Sequence, residues 1–358
     1  MNARLVERLT EIAIETFLWT FRIVVVLVVV IGSVLTIAGG KHGLDTWIDL
    51  ATKGAALGSV YALVALGYTM VYGILRMINF AHGEVFMAGA FAGYFTAVLF
   101  EDAGFLNANP IASLISVFIM IVVAASVSTG VAVLLERIAY RPLRNAPRLV
   151  PLIAAIGASF FLQYTARGFF GPGIYAYPGI SFLNEPAPIP LLRMQWVEVL
   201  VVVSAIVMMT LLYLFVMRTR TGTAIRAVSE DKNTAALMGI DVNRTIVTTF
   251  AMGAAMAGAA GVLYALIFRQ VNFFIGFIPG IKAFTAAVLG GIGNIPGAML
   301  GGLFLGEIES IGPVLFLDGL GVPSPNQLKD VIAFTMLVLV LVFRPSGILG
   351  ERVTRDRA

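Results

Sequence analysis

The sequence predicts an all-α polytopic membrane protein. Of its 358 residues, 59% are hydrophobic and only 12% are charged, and the mean hydropathy is +0.94. Soluble domains carry about a quarter charged residues, so no soluble core could bury this much apolar surface. The apolar residues also fall into runs of about the 20 residues that a helix needs to cross a bilayer.

Nine long apolar runs predict the membrane-spanning helices. They cover approximately residues 17–38, 53–75, 83–100, 111–135, 150–166, 196–217, 245–268, 296–317 and 330–343. The first run is longer than the core of a secretory signal and no obvious cleavage site precedes Lys41, so we expect it to be retained as a span. Pairs of small residues four apart recur along several runs, as in Gly54 and Gly58, and predict close helix packing.

A tenth apolar piece, residues 283–292, is too short for an ordinary span. It runs into Gly290-Gly-Ile-Gly-Asn-Ile-Pro296, which breaks any helix. We therefore expect a half-helix or a broken span. Such backbone is tolerated at membrane depth only where protein or a water-filled cavity surrounds it.

Charge bias predicts the orientation. Segments 136–148 and 218–244 and the tail from Arg344 are rich in arginine, whereas loops 101–110 and 307–328 are acidic. The positive-inside rule places the arginine-rich segments and both termini in the cytoplasm. The same bias explains the net charge of +4 without a nucleic-acid partner.

The number of crossings between segment 218–244 and the tail must then be even. Counting the short piece as a crossing gives about ten membrane elements, and eight result if run 296–317 does not cross fully. In the ten-element arrangement, Arg269 and Lys282 are expected on the outer side.

Composition also limits the chemistry of the chain. There is no cysteine, and two histidines, His42 and His82, are too few for a histidine-rich metal site. There is no G-x-x-x-x-G-K-[ST] phosphate loop, because the only Gly-Lys pair, Gly40-Lys41, is followed by histidine. We therefore expect no enzyme activity, no ATPase site and no cofactor in this chain.

The polar segment 218–244, here called the coupling segment, lies between two long apolar runs. Ser229 or Asp231 can cap a short helix that Gly239 would end, with an apolar patch at residues 235–238 between them. One interpretation is an amphipathic linker on the membrane surface. The other is a helix that inserts into a groove on a soluble subunit, which the small alanines favour.

Four stretches carry a resemblance to a known family. They are Glu230-x4-Ala235-Ala236-x-x-Gly239, then Gly67-Tyr-Thr-Met-Val-Tyr-Gly73 with Met77-Ile-Asn79-Phe80-Ala81-His82-Gly83-Glu84, then Ala286-Ala-Val-Leu-Gly-Gly291-Ile-Gly293-Asn294-Ile-Pro296, and Arg344-Pro345-Ser-Gly347-Ile-Leu-Gly350. Together they resemble the branched-chain amino-acid permease family of ABC importers over about residues 50–350. The domain division that follows is an N-terminal extension with the first helix at 1–45, a permease domain at 46–350 and a cytoplasmic tail at 351–358.

The resemblance implies a permease of the bacterial inner membrane with the fold of the larger, type II-like importers. It implies a second, homologous permease, two cytoplasmic ATPase subunits that bind the ATP, and a periplasmic binding protein. The substrate would be a branched-chain or other apolar amino acid, or urea or a short-chain amide as in near relatives. Coupling to the ATPase is expected at Glu230, Ala235, Ala236 and Gly239. An ion-coupled secondary transporter is the alternative from a different class.

Two groups of residues are candidates for the translocation path. Asn79, His82 and Glu84 lie between the second and third spans and either satisfy helix ends in a hairpin or line a gate, because polar groups at membrane depth face a cavity, a partner or an interface. The broken helix would expose free backbone groups to a polar substrate, with aromatic surface nearby. This second group comprises Phe284, Gly290, Gly291, Gly293 and Asn294.

Overall fold

The computed structural model describes residues 3–144, 146–147, 149–189, 192, 194–344 and 346–350, and the side chains from residue 10 onward. The expected tail at 351–358 lies outside the described residues. The described part is almost entirely helical: α1 (Ala3–Gly39), α2 (Leu44–Leu75), α3 (His82–Asp102), α4 (Pro110–Leu135), α5 (Leu149–Phe170), α6 (Trp196–Arg218), α7 (Arg220–Glu230), α8 (Lys232–Leu237), α9 (Val242–Phe268), α10 (Phe277–Gly290), α11 (Ile295–Gly312) and α12 (Lys329–Phe343).

Shorter elements extend or connect these helices. A π-helix follows α4 at Glu136–Tyr140 and another follows α11 at Pro313–Asp318, while 3-10 turns lie at Arg141–Leu143, Phe182–Asn184 and Pro325–Leu328. Two short strands, β1 (Tyr175–Ala176) and β2 (Gln270–Val271), pair antiparallel. Among the described residues, nine helices are long and apolar enough to cross a membrane, and α10 is a shorter apolar helix. The prediction of an all-α polytopic protein with a short element is confirmed.

Helix α2 is the centre of the bundle. Of its most apolar stretch, 89% is buried, and α6, α9, α10 and α11 pack around it. The contact with α11 is a glycine seam: a Cβ on Gly58 would lie 2.8 Å from the backbone of Leu303, and one on Gly306 would lie 2.2 Å from Gly58. Small residues therefore allow two backbones to touch, as the spacing-four pattern predicts.

Helix α10 begins six residues before the apolar piece predicted from sequence. Pro279 is tolerated because it lies in the first turn, where a helix needs no N–H donor. Lys282, expected outside the bilayer, is buried within α10 because it forms ion pairs. The predicted break is present: Gly291 and Gly293 have φ of 105° and 98°, and the Asn294 side chain caps α11 by accepting from the Gly297 N–H at 2.9 Å.

The N-terminus of α3 lies deep in the bundle. Arg76, which ends α2, donates to the Ser229 carbonyl of the coupling segment at 3.2 Å. His82 instead packs against Gly67. Gly67 lies nine residues before Arg76, which is about 13 Å back towards the N-terminus of α2. Segment 76–81 thus turns back into the bundle.

The N-terminus of α10 reaches the same depth from the opposite side. Strand β2 pairs with β1 in the 171–195 loop, and the chain then descends so that Gly276 packs on the backbone of Gly83. A Cβ on Gly280 would lie 2.9 Å from the Gly83 Cα. We call this meeting of the first turns of α3 and α10 the helix junction, defined by Gly83, Glu84, Gly276 and Gly280.

Helix α1 packs on the end of α11. A Cβ on Gly32 would lie 1.8 Å from the Phe316 carbonyl oxygen, and the Gly319 N–H donates to the Thr36 hydroxyl at 2.8 Å. His42 and Asp318 pair at 2.9 Å just beyond the helix end. Within the predicted extension, α1 is therefore one long helix attached to the bundle at its C-terminal half.

Candidate functional site

The coupling segment folds into two short helices. The Thr219 hydroxyl accepts from the Gly222 N–H at 3.0 Å and begins α7. Asp231 caps α8, with Oδ1 accepting from the Asn233 N–H at 2.8 Å and Oδ2 from the Thr234 hydroxyl at 2.8 Å. These hydrogen bonds to the charged carboxylate, that of the Thr234 hydroxyl first, lower the pKa of Asp231. The predicted cap and the predicted end at Gly239, with φ of 82°, are both present.

The structure divides the predicted apolar patch at residues 235–238 into a buried and an exposed part. Ala235 is 4% exposed and packs into the protein, while Ala236 and Gly239 are exposed. Leu237 and Met238 are 88% and 79% exposed, and we call these two side chains the knob. Both residues belong to the apolar patch predicted from sequence, although the residues expected to couple to the ATPase were Glu230, Ala235, Ala236 and Gly239.

Helix α7, just before the knob, packs closely against the helix bundle. Ile225 and Val228 on the inner face of α7 are buried, and a Cβ on Gly222 would lie 2.3 Å from the Val216 carbonyl oxygen of α6. Arg76 ties the end of α2 to the Ser229 carbonyl. Glu230, one of the predicted coupling residues, lies exposed at the end of α7. Helix α7, which precedes the knob, is therefore in direct contact with α2 and α6.

Cations surround the base of the knob. Burial lowers the pKa of Lys232, and the nearby Arg144 and Arg76 lower it further. Arg144 bonds the side chain of Asn243 and pairs with the buried Glu136. A soluble partner that covers the knob would therefore meet a basic rim.

Three of the predicted path residues lie together around the helix junction. Asn79 is buried and accepts a hydrogen bond from the Tyr140 hydroxyl at 2.6 Å. The His82 ring packs edge-on against Tyr68 with 4.8 Å between centroids. The Glu84 carboxylate is 1% exposed. Segment 76–84 is thus a re-entrant turn inside the bundle rather than a surface hairpin.

Glu84 is incompletely paired. Its Oε1 accepts from the Ser159 hydroxyl at 3.2 Å and from the Gln163 amide at 3.4 Å, both on α5. Its Oε2 has no hydrogen-bond partner among the described residues, and no described lysine or arginine lies within 4 Å. Burying an unpaired carboxylate costs several kcal/mol, and a helix N-terminus returns about 0.3–1 kcal/mol, at most about 2. The two helix ends at the junction do not balance the buried charge.

Phe284 lies next to this group on α10. Its ring packs against Tyr68 and Phe80, with 5.9 Å between centroids in each case. A narrow cleft opens beside it, lined by Tyr68, Tyr72, Ile78, Phe284, Ala287 and Ile292. The structure therefore brings Asn79, His82, Glu84 and Phe284 into one region.

The glycines after α10 lie elsewhere, at its far end, about 20 Å from its first residue. The N–H groups of Ile348 and Leu349 donate to the carbonyls of Leu289 and Gly290 at 2.8 and 3.0 Å. The Asn294 amide donates to the Leu349 carbonyl at 2.9 Å. Two carbonyls expected to be free for substrate are thus occupied by residues 348 and 349 of the chain itself. The predicted path residues Gly290, Gly291 and Asn294 contact this C-terminal segment, and Gly293 lies in the turn between them.

A second buried cluster was missed by sequence reasoning. Lys282 Nζ lies 2.7 Å from Glu309 Oε1 and 2.6 Å from Asp330 Oδ1, and the Tyr61 hydroxyl donates to Glu309 Oε2 at 2.9 Å. The cluster joins α2, α10, α11 and α12. Its members are far apart in the sequence, so no local pattern indicates it. Within the described ranges, no group of three or more acidic or histidine side chains could hold a metal ion.

Comparisons with known proteins agree with this architecture. The sequence model of the family described as "Branched-chain amino acid transport system / permease component" matches residues 50–341, so α1 lies before the matched region. The "High-affinity branched-chain amino acid transport system permease protein BraD" of Pseudomonas aeruginosa is 44% identical over 308 residues, covering 85% of this chain and 96% of the relative.

Two further relatives extend the comparison. The permease protein LivH of Escherichia coli, named for the same high-affinity system, is 42% identical over 84% of this chain and 94% of the relative. A probable branched-chain amino acid transport permease protein LivM of Methanocaldococcus jannaschii is 24% identical over 85% and 94%. No solved structure matches the chain. The chain is therefore a multi-pass membrane protein that belongs to the family of branched-chain amino acid transport system permease components.

Proposed function

We propose that this chain is one permease subunit of an ATP-driven, binding-protein-dependent importer for branched-chain or other apolar amino acids, in the bacterial inner membrane with both termini in the cytoplasm. Family membership and the names of the relatives support the substrate class. The observation that carries the mechanism is the exposed knob of Leu237 and Met238 on a rigid base. The names quoted favour amino acids over urea or amides, and a subunit of a larger system over a lone ion-coupled transporter.

The knob is the surface on which one of two cytoplasmic ATPase subunits docks. Fully burying one large apolar side chain is worth about 1.5–3 kcal/mol, so covering both favours a stable contact. ATP is bound by the ATPase subunits, because this chain has no phosphate loop. The basic rim near Lys232 and Arg144 favours an acidic border around the groove that receives the knob.

Movement reaches the path through the packed helices. Closure of the ATPase pair displaces α7 and α8, and α7 is in contact with α2, α6 and α9. Gly67 of α2 and Gly253 of α9 touch each other beside His82. A tilt of these helices therefore acts on the helix junction and on the cleft at Phe284, so that the path opens alternately to each side.

The complete importer requires further subunits. A second, homologous permease completes the path, and the relatives include proteins with both LivH and LivM names, which supports two related permeases. A periplasmic binding protein delivers the substrate to the outer side, where the 171–195 loop covers the bundle with buried Tyr177, Ile180 and Leu183.

The test is a double substitution, Leu237→Glu with Met238→Glu, in the assembled importer. Loss of two buried apolar contacts corresponds to at least about a hundredfold weaker ATPase binding. Co-purification of the ATPase and uptake of labelled leucine should both fall, while membrane insertion is unchanged. Thr223→Glu, an exposed position on α7, is the control and should leave both intact. Normal uptake and ATPase binding in the double variant would refute the docking assignment.

A further inference from the structure

The helix junction contains a buried carboxyl group that has no cationic partner among the described residues. Glu84 lies in the first turn of α3, nearly fully buried, and its Oε2 has no hydrogen-bond partner among the described residues. Buried acids inside a membrane domain are paired or take part in transport. In the neighbouring cluster, by contrast, the acids Glu309 and Asp330 are both paired with Lys282. Glu84 is therefore the described membrane-buried acid that still lacks a cation.

The surroundings of Glu84 suit one kind of cation. Glu84 Oε2 points to the start of α10, 3.1 Å from where a Cβ on Gly276 would stand. In the first turn of α10 the N–H groups of Phe277 and Gly280 bond the carbonyls of Phe274 and Gly276, and Pro279 has no N–H. Among the described residues, the Ile278 N–H is left as a donor for a carboxylate at this helix end. The rings of Tyr68 and Phe284 lie beside the same junction and offer apolar surface. A solute with an ammonium group, a carboxylate and an apolar side chain would find a counterpart for each.

We propose that Glu84 binds the ammonium group of the amino acid in transit, while the first turn of α10 receives its carboxylate. The inference rests on the proposed import function and adds a substrate site within the membrane domain. A bare inorganic cation would leave the helix end unused, and a proton would leave the aromatic surface without a role.

A solute would reach Glu84 by a displacement of helix α5. It contacts the bundle through one stripe of buried residues, and only 28% of its most apolar stretch is buried. Ser159 and Gln163 of that stripe hold Glu84 Oε1 by hydrogen bonds of 3.2 and 3.4 Å, which are long for such bonds. A small outward shift of α5 would break both bonds and expose Glu84.

The test uses the complete importer with its binding protein in proteoliposomes. Glu84→Gln removes the charge but keeps the shape, and it also mimics a protonated carboxyl. Loss of one charge-assisted contact predicts at least about tenfold slower uptake of labelled leucine. Glu84→Asp should retain part of the uptake, and Ser159→Ala, which keeps the charge, should retain most of it. Assembly of the importer should be unchanged in all three variants.

Each other outcome decides against the site. Uptake at the unsubstituted rate in Glu84→Gln would show that a neutral group suffices. Failure of Glu84→Gln to assemble would assign the carboxylate to folding. None of these results affects the proposed import function, which fails only if the unsubstituted importer takes up no leucine or other apolar amino acid when its binding protein is present.

Discussion

Replacing Lys282 by methionine should strongly destabilise the protein, because it leaves Glu309 buried without its cation. The side chains of Lys282 and Glu309 are 4% and 1% exposed, and 2.7 Å separates their charged atoms. Removing one partner of a buried pair costs about 3–5 kcal/mol, since the remaining charge is uncompensated. The Tyr61 hydroxyl still donates to Glu309, but a neutral donor replaces only part of the lost interaction.

The measurement is thermal unfolding of the purified protein in detergent, followed by size-exclusion chromatography after heating. For a chain of 358 residues, a loss of about 3 kcal/mol corresponds to a melting temperature lower by about 4 °C. Lys329→Met is the matched control, because Lys329 is 44% exposed and lies 4.0 Å from Glu309, a pair worth about 0–1 kcal/mol. The double variant Lys282→Met with Glu309→Gln should recover much of the loss. Equal melting temperatures for Lys282→Met and Lys329→Met would refute the reasoning.

Two further predictions concern the α2–α11 seam and the cap of α8. Gly58→Leu should lower the melting temperature and the yield of folded protein, because its Cβ would already stand 2.8 Å from the Leu303 backbone, whereas Gly157→Leu, with open space around it, should not. Asp231→Ala should speed hydrogen exchange of residues 232–237 at neutral pH, because the cap is lost. The pKa of Asp231 is lowered in the folded protein, so its stabilising contribution is present above the ordinary carboxyl pKa and disappears as the pH falls through the lowered value. In strong acid the two proteins should therefore exchange at the same rate, after correction for the intrinsic exchange rate. A pH-independent difference between the two would contradict the role of the charged cap.

Features that depend on neighbouring residues could be predicted from the sequence. The long spans follow from runs of apolar side chains, and all nine appear at their expected places. The cap at Asp231 follows from a side chain that bonds the backbone two or three residues away, and the end at Gly239 follows from the positive φ that glycine adopts without strain. The family resemblance has the same basis, since its motifs are continuous stretches.

The candidate site could be predicted only in part. Asn79, His82, Glu84 and Phe284 were identified, and the structure places them together. Their roles in transport stay predictions. The sequence predicted the apolar piece to begin at residue 283 and Lys282 to lie on the outer side, whereas α10 begins at Phe277 and Lys282 is buried within it. Proline, glycine and lysine before residue 283 indicate a loop, because the acids that pair with Lys282 are distant in the sequence.

The sequence by itself determined that this protein is a bundle of membrane helices with a polar segment between two spans, since hydropathy and helix capping act over one or two turns. The tertiary structure decided which of those residues face each other. It turned Ala235 inward and left Leu237 and Met238 exposed, and it placed the ends of α3 and α10 around Glu84. Pairing across hundreds of residues depends on packing in three dimensions, which no local pattern contains.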